Sequence, residues 1–175
     1  MDRLLILGAG GFGKVVADIA RQSGLYLEVA FLDDGTEGYK VLGKCKDYLE
    51  FADAGTAFYP AFGNNELRLQ WIHQLQQNNL SVATLVHKKA YVSPTADIGE
   101  GVVVLPGAIV NTNTVVKAGS IINCNAVVDH DCVIEEGVHV CLNATVKAEN
   151  QIPQYTKIEA GMVVENRSYP LKREE

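Results

Sequence analysis

From Ala90 onward the apolar positions recur every six residues. Counting from Val92 gives Val92, Ile98, Val104, Val110, Val116, Ile122, Val128, Ile134, Val140, Val146, Ile152, Ile158 and Val164, all β-branched aliphatics in one unbroken frame. Two places before each stands a mostly small residue: Ala90, Ala96, Val102, Ala108, Thr114, Ser120, Ala126, Cys132, Val138, Ala144. Turn formers fill the gaps, as in Ile98-Gly99-Glu100-Gly101 and Val110-Asn111-Thr112-Asn113. A period of six fits neither an amphipathic helix nor a half-buried strand. It is the signature of a hexapeptide β-helix. Each hexad predicts one short strand and one corner, and three hexads close a coil of a triangular solenoid. The β-branched residue points inward onto its copy one coil above, where its restricted rotamers pack well on a pleated surface. In this reading the small residue two places earlier lets the chain turn each corner. A sandwich of short strands would not hold one frame over so many hexads.

Before Ala90 the pattern changes. The apolar run Arg3 to Leu7 predicts a strand that ends in Gly8-Ala9-Gly10-Gly11-Phe12-Gly13. Helical periodicity follows from Lys14 to Arg21, with Val15, Val16, Ile19 and Ala20 on one face. Leu27 to Leu32 predicts a second strand closing on Asp33-Asp34, and Thr56 to Phe62 a third ending at Gly63-Asn64-Asn65. Glu66 to Gln77 predicts a helix with Asn64 or Asn65 as its N-cap, and Val82 to Val86 leads into the solenoid. Trp71 and Leu75 are expected in the core, and His73 on a solvated helix face.

Strand, GxGxxG, helix, strand and then an acid form the dinucleotide fingerprint in context. The glycines let backbone N–H groups and a helix N-terminus approach a phosphate, and the acid accepts from a ribose hydroxyl or a base. The alternative is a tight strand-to-helix turn and nothing more. About eighty residues precede the repeat, enough for one half of a dinucleotide fold. A nucleotide carried on a sugar needs only one half, so it fits better than NAD. Gly63 falls at the same carboxyl edge as Gly10 and Asp33. The expected organisation is therefore a Rossmann-like half domain over residues 1–83 and a left-handed parallel β-helix over 84–175 with a short tail.

Composition narrows the partners. A formal net charge of −6 with no basic stripe argues against nucleic acid. The N-terminus lacks the charged, apolar and small segments of a signal peptide, and no long apolar run follows, so a cytoplasmic protein off the membrane is expected. Cys45, Cys124, Cys132 and Cys141 show no CxxC spacing and read as reduced, partly buried thiols.

Inside the solenoid, Asn123-Cys124-Asn125-Ala126-Val127-Val128-Asp129-His130-Asp131-Cys132, followed by His139, departs from plain repeat chemistry. An imidazole flanked by two carboxylates is more than a turn requires. The neighbouring acid fixes the tautomer and raises basicity, which suits a general base. The same spacing also fits a solvated polar corner. A zinc hydratase would need three convergent histidines, and His130 and His139 have no third candidate in the repeat, so no metal is expected.

GAGGFGKVVADI (Gly8–Ile19), FLDD (Phe31–Asp34) and FGNNELR (Phe62–Arg68) resemble the N-terminal part of one acyltransferase family. IINCNAVVDHDCVIEEGVH (Ile121–His139) resembles its active-site region. The family is the hexapeptide-repeat sugar acetyltransferases, which includes sialic-acid O-acetyltransferases and UDP-4-amino-sugar N-acetyltransferases of bacterial glycan synthesis. The resemblance implies acetyl-CoA-dependent transfer to an activated sugar by a homotrimer whose active sites lie between neighbouring solenoids. It implies His130 as general base and Asp131 as its partner, with His139 and the region of Ala148 touching acetyl-CoA. Gly10, Gly11, Phe12, Asp33, Asp34 and Gly63 match the sugar-nucleotide site.

Two departures stand out. Phe12 occupies a position where relatives often carry His, and after Ala148 the repeat is expected to fall about one eighteen-residue coil short of the family pattern, a coil that usually helps hold CoA. Arg167, Lys172 or Arg173 of the tail is therefore a candidate for the CoA phosphates, against a plain solvated tail. The reading that follows is N-acetylation of a nucleotide-linked 4-amino-4,6-dideoxy sugar, UDP favoured, without a covalent enzyme intermediate. A sialic-acid O-acetyltransferase and a non-catalytic nucleotide-binding trimer are the alternatives, and an NAD-dependent reductase ranks last.

Overall fold

The computed structural model describes residues 1–35, 38 and 40–171. It divides into two compact units, Met1–Leu85 and Val86–Glu175.

The first unit runs β1 (Arg3–Leu7), α1 (Gly11–Ser23), β2 (Glu28–Leu32), β3 (Val41–Gly43), a 3-10 segment (Cys45–Phe51), β4 (Thr56–Pro60), α2 (Asn65–Gln77) and β5 (Ser81–Val82). The strands form one parallel sheet in the order β3-β2-β1-β4-β5. Leu5 and Leu7 join Ala30, Leu32, Phe58, Ile72 and Leu75 in one buried cluster. Leu4 and Ile6, on the opposite pleat, are buried too, as are Val16, Ala17 and Ala20 of α1. Cover on both faces explains why β1 reads as a continuous apolar run rather than an alternating one.

Helix α1 starts at Gly11, earlier than its side-chain period suggests, because its first turn contains two glycines that carry no periodic signal. Asn64 caps α2, its Oδ1 accepting from Leu67 N at 2.9 Å. Strand β3 and the 3-10 segment escaped the sequence reading. A three-residue edge strand is too short to show a period, and it exists through its pairing with β2. His73 is exposed, Leu75 is buried and Trp71 is half-buried against Tyr48 and Phe62.

The second unit is a left-handed parallel β-helix of two-residue strands stacked in three walls. The first wall holds Tyr91–Val92, Ile109–Val110, Val127–Val128, Thr145–Val146 and Val163–Val164. The second holds Asp97–Ile98, Val115–Val116, Val133–Ile134 and Gln151–Ile152. The third holds Leu85–Val86, Val103–Val104, Ile121–Ile122, His139–Val140 and Lys157–Ile158. Pairing is in register at eighteen residues, so Val110, Val128 and Val146 lie directly over one another, as do Val116, Ile134 and Ile152. These side chains form the core with the small positions Ala108, Ala126, Cys132 and Ala144. Each fully buried Val or Ile contributes about 1.5–3 kcal/mol of transfer free energy.

The corners differ from the expectation in one respect. From Val102 to Asn150 the residue two places before each aliphatic is buried with the core, and the bend falls one residue earlier. Every sixth residue from 101 to 167 has positive φ: Gly101, Gly107, Asn113, Gly119, Asn125, Asp131, Gly137, Asn143, Glu149, Tyr155, Gly161 and Arg167. A left-handed backbone residue reverses the chain within one residue, and Gly, Asn and Asp adopt it at least cost. Polar residues at the small positions tie the corners from inside. Thr114 Oγ1 donates to Asp129 O at 2.6 Å and Ser120 Oγ to Glu135 O at 2.9 Å.

Asn150 stands where the repeat calls for a small residue, and it is fully buried. Its Nδ2 donates to Lys147 O at 2.8 Å and Glu165 O at 2.9 Å, while its Oδ1 accepts from Tyr169 N at 2.8 Å. Gln151 N donates to Tyr169 O at 2.7 Å, and Asn150 bridges Pro170 in antiparallel sense. Residues 168–170 thus lie along the last strand of the four-stranded wall, whose edge would otherwise offer unpaired groups. The corner geometry sets an expected outcome. Asn143→Val lowers unfolding free energy by about 1–2 kcal/mol, the cost of a bulky residue in left-handed backbone, whereas Asn143→Gly is close to neutral; denaturant melts of the two variants check it.

Candidate active site

In the first unit the sheet order reverses between β1 and β4, and ligands of open α/β sheets bind at the carboxyl ends of strands at such a switch point. The turns leaving β1 and β4 are tied to the ends of β2 and β1 respectively. Gly8 N donates to Leu32 O and Ala61 N to Leu7 O, both at 2.8 Å. The glycines of the first turn divide into two kinds. Gly8 has φ +103 and lies against Ala61 O, and a Cβ on Gly13 would sit 2.0 Å from Gly8 O. These two make the turn possible. Gly10, Gly11 and Gly63 are exposed, and a Cβ on any of them would meet nothing within 4 Å. Open backbone beside the N-terminus of α1 is the arrangement that admits an anion.

Asp33 braces this turn. Its Oδ2 accepts from Ala9 N at 2.7 Å and its Oδ1 from Gly35 N at 2.9 Å. Asp34 is exposed, its Oδ1 accepting from Cys45 N at 3.0 Å. Phe12 is half-buried, edge-on to Tyr59 at 6.5 Å between ring centroids. Sequence reasoning attached no role to Arg68, which is fully buried. Its Nη1 donates to Phe62 O at 2.9 Å and its Nη2 to Asn65 Oδ1 at 2.8 Å, fixing the Phe62–Asn65 turn around Gly63. Burial lowers its pKa and raises that of buried Tyr59. An arginine at the fourth position of a helix carries no sequence signal that it folds back over its own first turn.

In the second unit His130 and Asp131 occupy the corner between the first and second walls. His130 Nδ1 lies 2.7 Å from Asp131 Oδ2. The backbone N–H of His130 donates to Asp129 Oδ1 at 2.8 Å. The imidazole pKa is raised, chiefly by the hydrogen bond to Asp131 and further by the charges of Asp129, Asp131 and Glu149. The Asp131 pKa is lowered by its bonds to His130 and Asn113. With Nδ1 on the carboxylate, Nε2 is the ring nitrogen that can take a proton.

Ala148 lies one coil above His130 at the same corner and is nearly buried. Its neighbour Glu149 sends its backbone N–H to His130 O at 3.3 Å and its carboxylate to Arg167 Nε, which lowers the Glu149 pKa. Arg167 is therefore engaged with Glu149, while Lys172 and Arg173 lie outside the described residues. His139 is on the third wall, away from the His130 corner in the fold's order, with Nε2 2.9 Å from the amide nitrogen of Asn123. Cys45, Cys132 and Cys141 have thiol pKa values raised by burial, Cys45 to about 11, so none is an activated nucleophile. Among the described residues no group of three or more His, Cys, Asp or Glu is arranged to hold a metal ion. Among the described residues no helix is long and apolar enough to cross a membrane.

Known proteins match both units. The family described as PglD N-terminal domain matches residues 3–75. The UDP-N-acetylbacillosamine N-acetyltransferase of Bacillus subtilis is 33% identical over 112 residues, 60% of this chain and 52% of the relative, so the match spans about half the length of that curated protein. Among solved structures, the acetyltransferase domain of PglB from Neisseria gonorrhoeae aligns with a TM-score of 0.92 at 34% identity, covering 95% of this chain and 84% of that one. The same domain in complex with acetyl coenzyme A gives 0.91 and 35%, covering 94% and 82%. PerB from Caulobacter crescentus, in complex with CoA and GDP-perosamine, gives 0.79 at 27%, covering 95% and 90%.

The two kinds of glycine give an expected outcome. Gly13→Ala lowers stability by about 1–3 kcal/mol because the added Cβ meets rigid backbone, while Gly10→Ala leaves the thermal midpoint unchanged; calorimetry on the two variants separates them.

Proposed function

The chain belongs to the hexapeptide-repeat sugar acetyltransferases of the PglD type, and from that premise we propose that it transfers the acetyl group of acetyl-CoA to the amine of a nucleotide-linked 4-amino-4,6-dideoxy sugar. The observation that carries the reading is the 2.7 Å contact of His130 with Asp131 at a solenoid corner. In this mechanism the sugar nitrogen lies within hydrogen-bond reach of His130 Nε2. The imidazole accepts its proton as nitrogen attacks the thioester carbonyl, and CoA leaves as the thiol. Asp131 holds the ring and stabilises the imidazolium. No protein nucleophile takes part, in keeping with the buried, protonated thiols.

The nucleotide is assigned to the first unit. Exposed N–H groups at Gly10 and Gly11 meet its phosphates, Gly63 and Phe12 line the same sheet edge, and exposed Asp34 accepts from the ribose or base. Asp33, with both oxygens on backbone N–H groups, serves this site by shaping the turn. UDP is favoured over GDP by the higher identity to the Bacillus subtilis relative, which is named for a UDP sugar, than to PerB, which was captured with GDP-perosamine.

The acyl donor is assigned to His139 and the Ala148 corner, and the assembly is a homotrimer with each site shared between neighbours. Two observations support that assembly. His130 lies at the corner between the first and second walls and His139 on the third wall, so one chain does not gather them. The outer face of the first wall also exposes Tyr91, Ile109 and Val163 at 54%, 37% and 50%. An apolar stripe of this kind marks an interaction surface.

Two outcomes are expected. His130→Ala lowers kcat by roughly two to four orders of magnitude with substrate KM little changed, read as thiol release over a panel of UDP- and GDP-linked 4-amino sugars and sialic acids. Turnover of sialic acid alone would make the protein an O-acetyltransferase, and no acetyl-CoA binding under any condition would make it a nucleotide-binding trimer. In sedimentation the native chain runs as a trimer and Ile109→Lys as a monomer; a native monomer overturns the shared site.

A further inference from the structure

We propose that Asn113, one coil beneath the catalytic corner, is a positioning residue that pins the Asp131 carboxylate onto the His130 ring. The inference rests on the reading of His130 as the general base. Thr95, Asn113, Asp131, Glu149 and Arg167 form one column, eighteen residues apart, along a single edge of the prism. Asn113 Nδ2 donates to Asp131 Oδ1 at 3.1 Å, and Asp131 Oδ2 meets His130 Nδ1 at 2.7 Å. The carboxylate is therefore held at both oxygens, by the amide below and the ring beside it.

The side chain of Asp131 is 44% exposed. A carboxylate so open rotates broadly about its last torsion unless something fixes it. Asn113 is itself fixed, because its backbone N–H donates to Thr95 Oγ1 at 3.0 Å and its φ of 57 sets it in the corner. The corner backbone does not call for the amide, since Gly101, Gly119 and Gly137 make the same bend in other hexads. A second rung repeats the device. Asn111 Nδ2 donates to Asp129 Oδ1 at 3.2 Å, and that oxygen accepts from His130 N at 2.8 Å. One asparagine braces the histidine's backbone and the other its ring.

The charged groups around the imidazole are Asp129 and Asp131 on its own turn and Glu149 one coil above, with Arg167 drawn to Glu149 and Lys147 to Glu165. Loss of the amide frees Asp131 to leave the ring, so His130 titrates lower. A carboxylate in its place also removes that donor, but it adds a negative charge to the edge that outweighs the lost contact, so His130 titrates higher.

Asn113→Gly keeps the left-handed backbone and deletes the amide, and Asn113→Asp keeps size and backbone while replacing the donor with a carboxylate. The His130 ring is titrated by NMR in each, kcat and KM are followed against pH by thiol release, and thermal midpoints are recorded. The glycine variant is expected to move the imidazole midpoint and the acid limb of kcat downward, with kcat roughly ten- to a hundredfold lower, the usual effect of losing a supporting hydrogen bond, and KM unchanged. The aspartate variant is expected to move the midpoint upward. In a His130→Ala background Asn113→Gly is expected to add no further loss. Shifts of the same sign in both variants, or no shift, overturn the role of Asn113. If His130→Ala itself retains full turnover, the base assignment falls instead, and the two failures are told apart.

Discussion

The constraint on which the second unit depends is in-register stacking at eighteen residues. Each β-branched side chain rests on its copy in the next coil, and the pairing leaves no freedom to slip, because a one-residue shift would turn the whole aliphatic set to solvent. Register fixed by the core also fixes everything outside it. Residue n lies beneath residue n + 18 at corners as well as walls, so polar chemistry comes in columns. The column through Asn113, Asp131, Glu149 and Arg167 and the one through Asn111, Asp129, Lys147 and Glu165 are consequences of the apolar repeat. A histidine placed between them inherits supports from the coil below and charge from the coil above.

The first unit obtains precision differently. Its parallel sheet, buried on both faces, sets two strand ends side by side, and the turns leaving them are locked by contacts that tolerate no extra atom at Gly13 and little at Gly8. Around that rigid frame Gly10, Gly11 and Gly63 stay open. Asp33 and Arg68 do the same work from opposite sides, one acidic and one basic, each spending its hydrogen bonds on the backbone or cap of a turn. A buried arginine is costly to desolvate, and it persists because the oxygens of Phe62 and Asn65 satisfy it.

Much of this was legible in the residues. The thirteen-hexad frame, the parallel half-fold, an N-cap at Asn64 or Asn65 and a histidine flanked by two acids all follow from spacing, since each is a local or strictly periodic relation; which acid meets the ring does not. Two expectations shifted. The corner was assigned to the small residue, yet the small residue is interior and the bend belongs to its left-handed neighbour; both lie in the same six-residue frame, so periodicity alone does not say which one turns. Charge alone makes Arg167 a candidate for the CoA phosphates or a solvated tail residue, yet it bonds to Glu149 and residues 168–170 lie along the Asn150 edge. Neither partner is near in sequence, and hydropathy does not register a hydrogen bond across coils.

What the sequence determined by itself was the architecture, because a repeat of β-branched residues and a glycine turn between an apolar strand and a helix each have few ways to bury their apolar surface. What only tertiary structure decided was which polar groups meet. The sequence shows an acid twenty residues past the glycine turn, and the fold shows that it closes on Ala9. The sequence shows a His between two Asp, and the fold shows two asparagines reaching up to hold them. Burial is dictated residue by residue along the chain, whereas a hydrogen bond depends on the angle and distance at which separate coils and strands arrive.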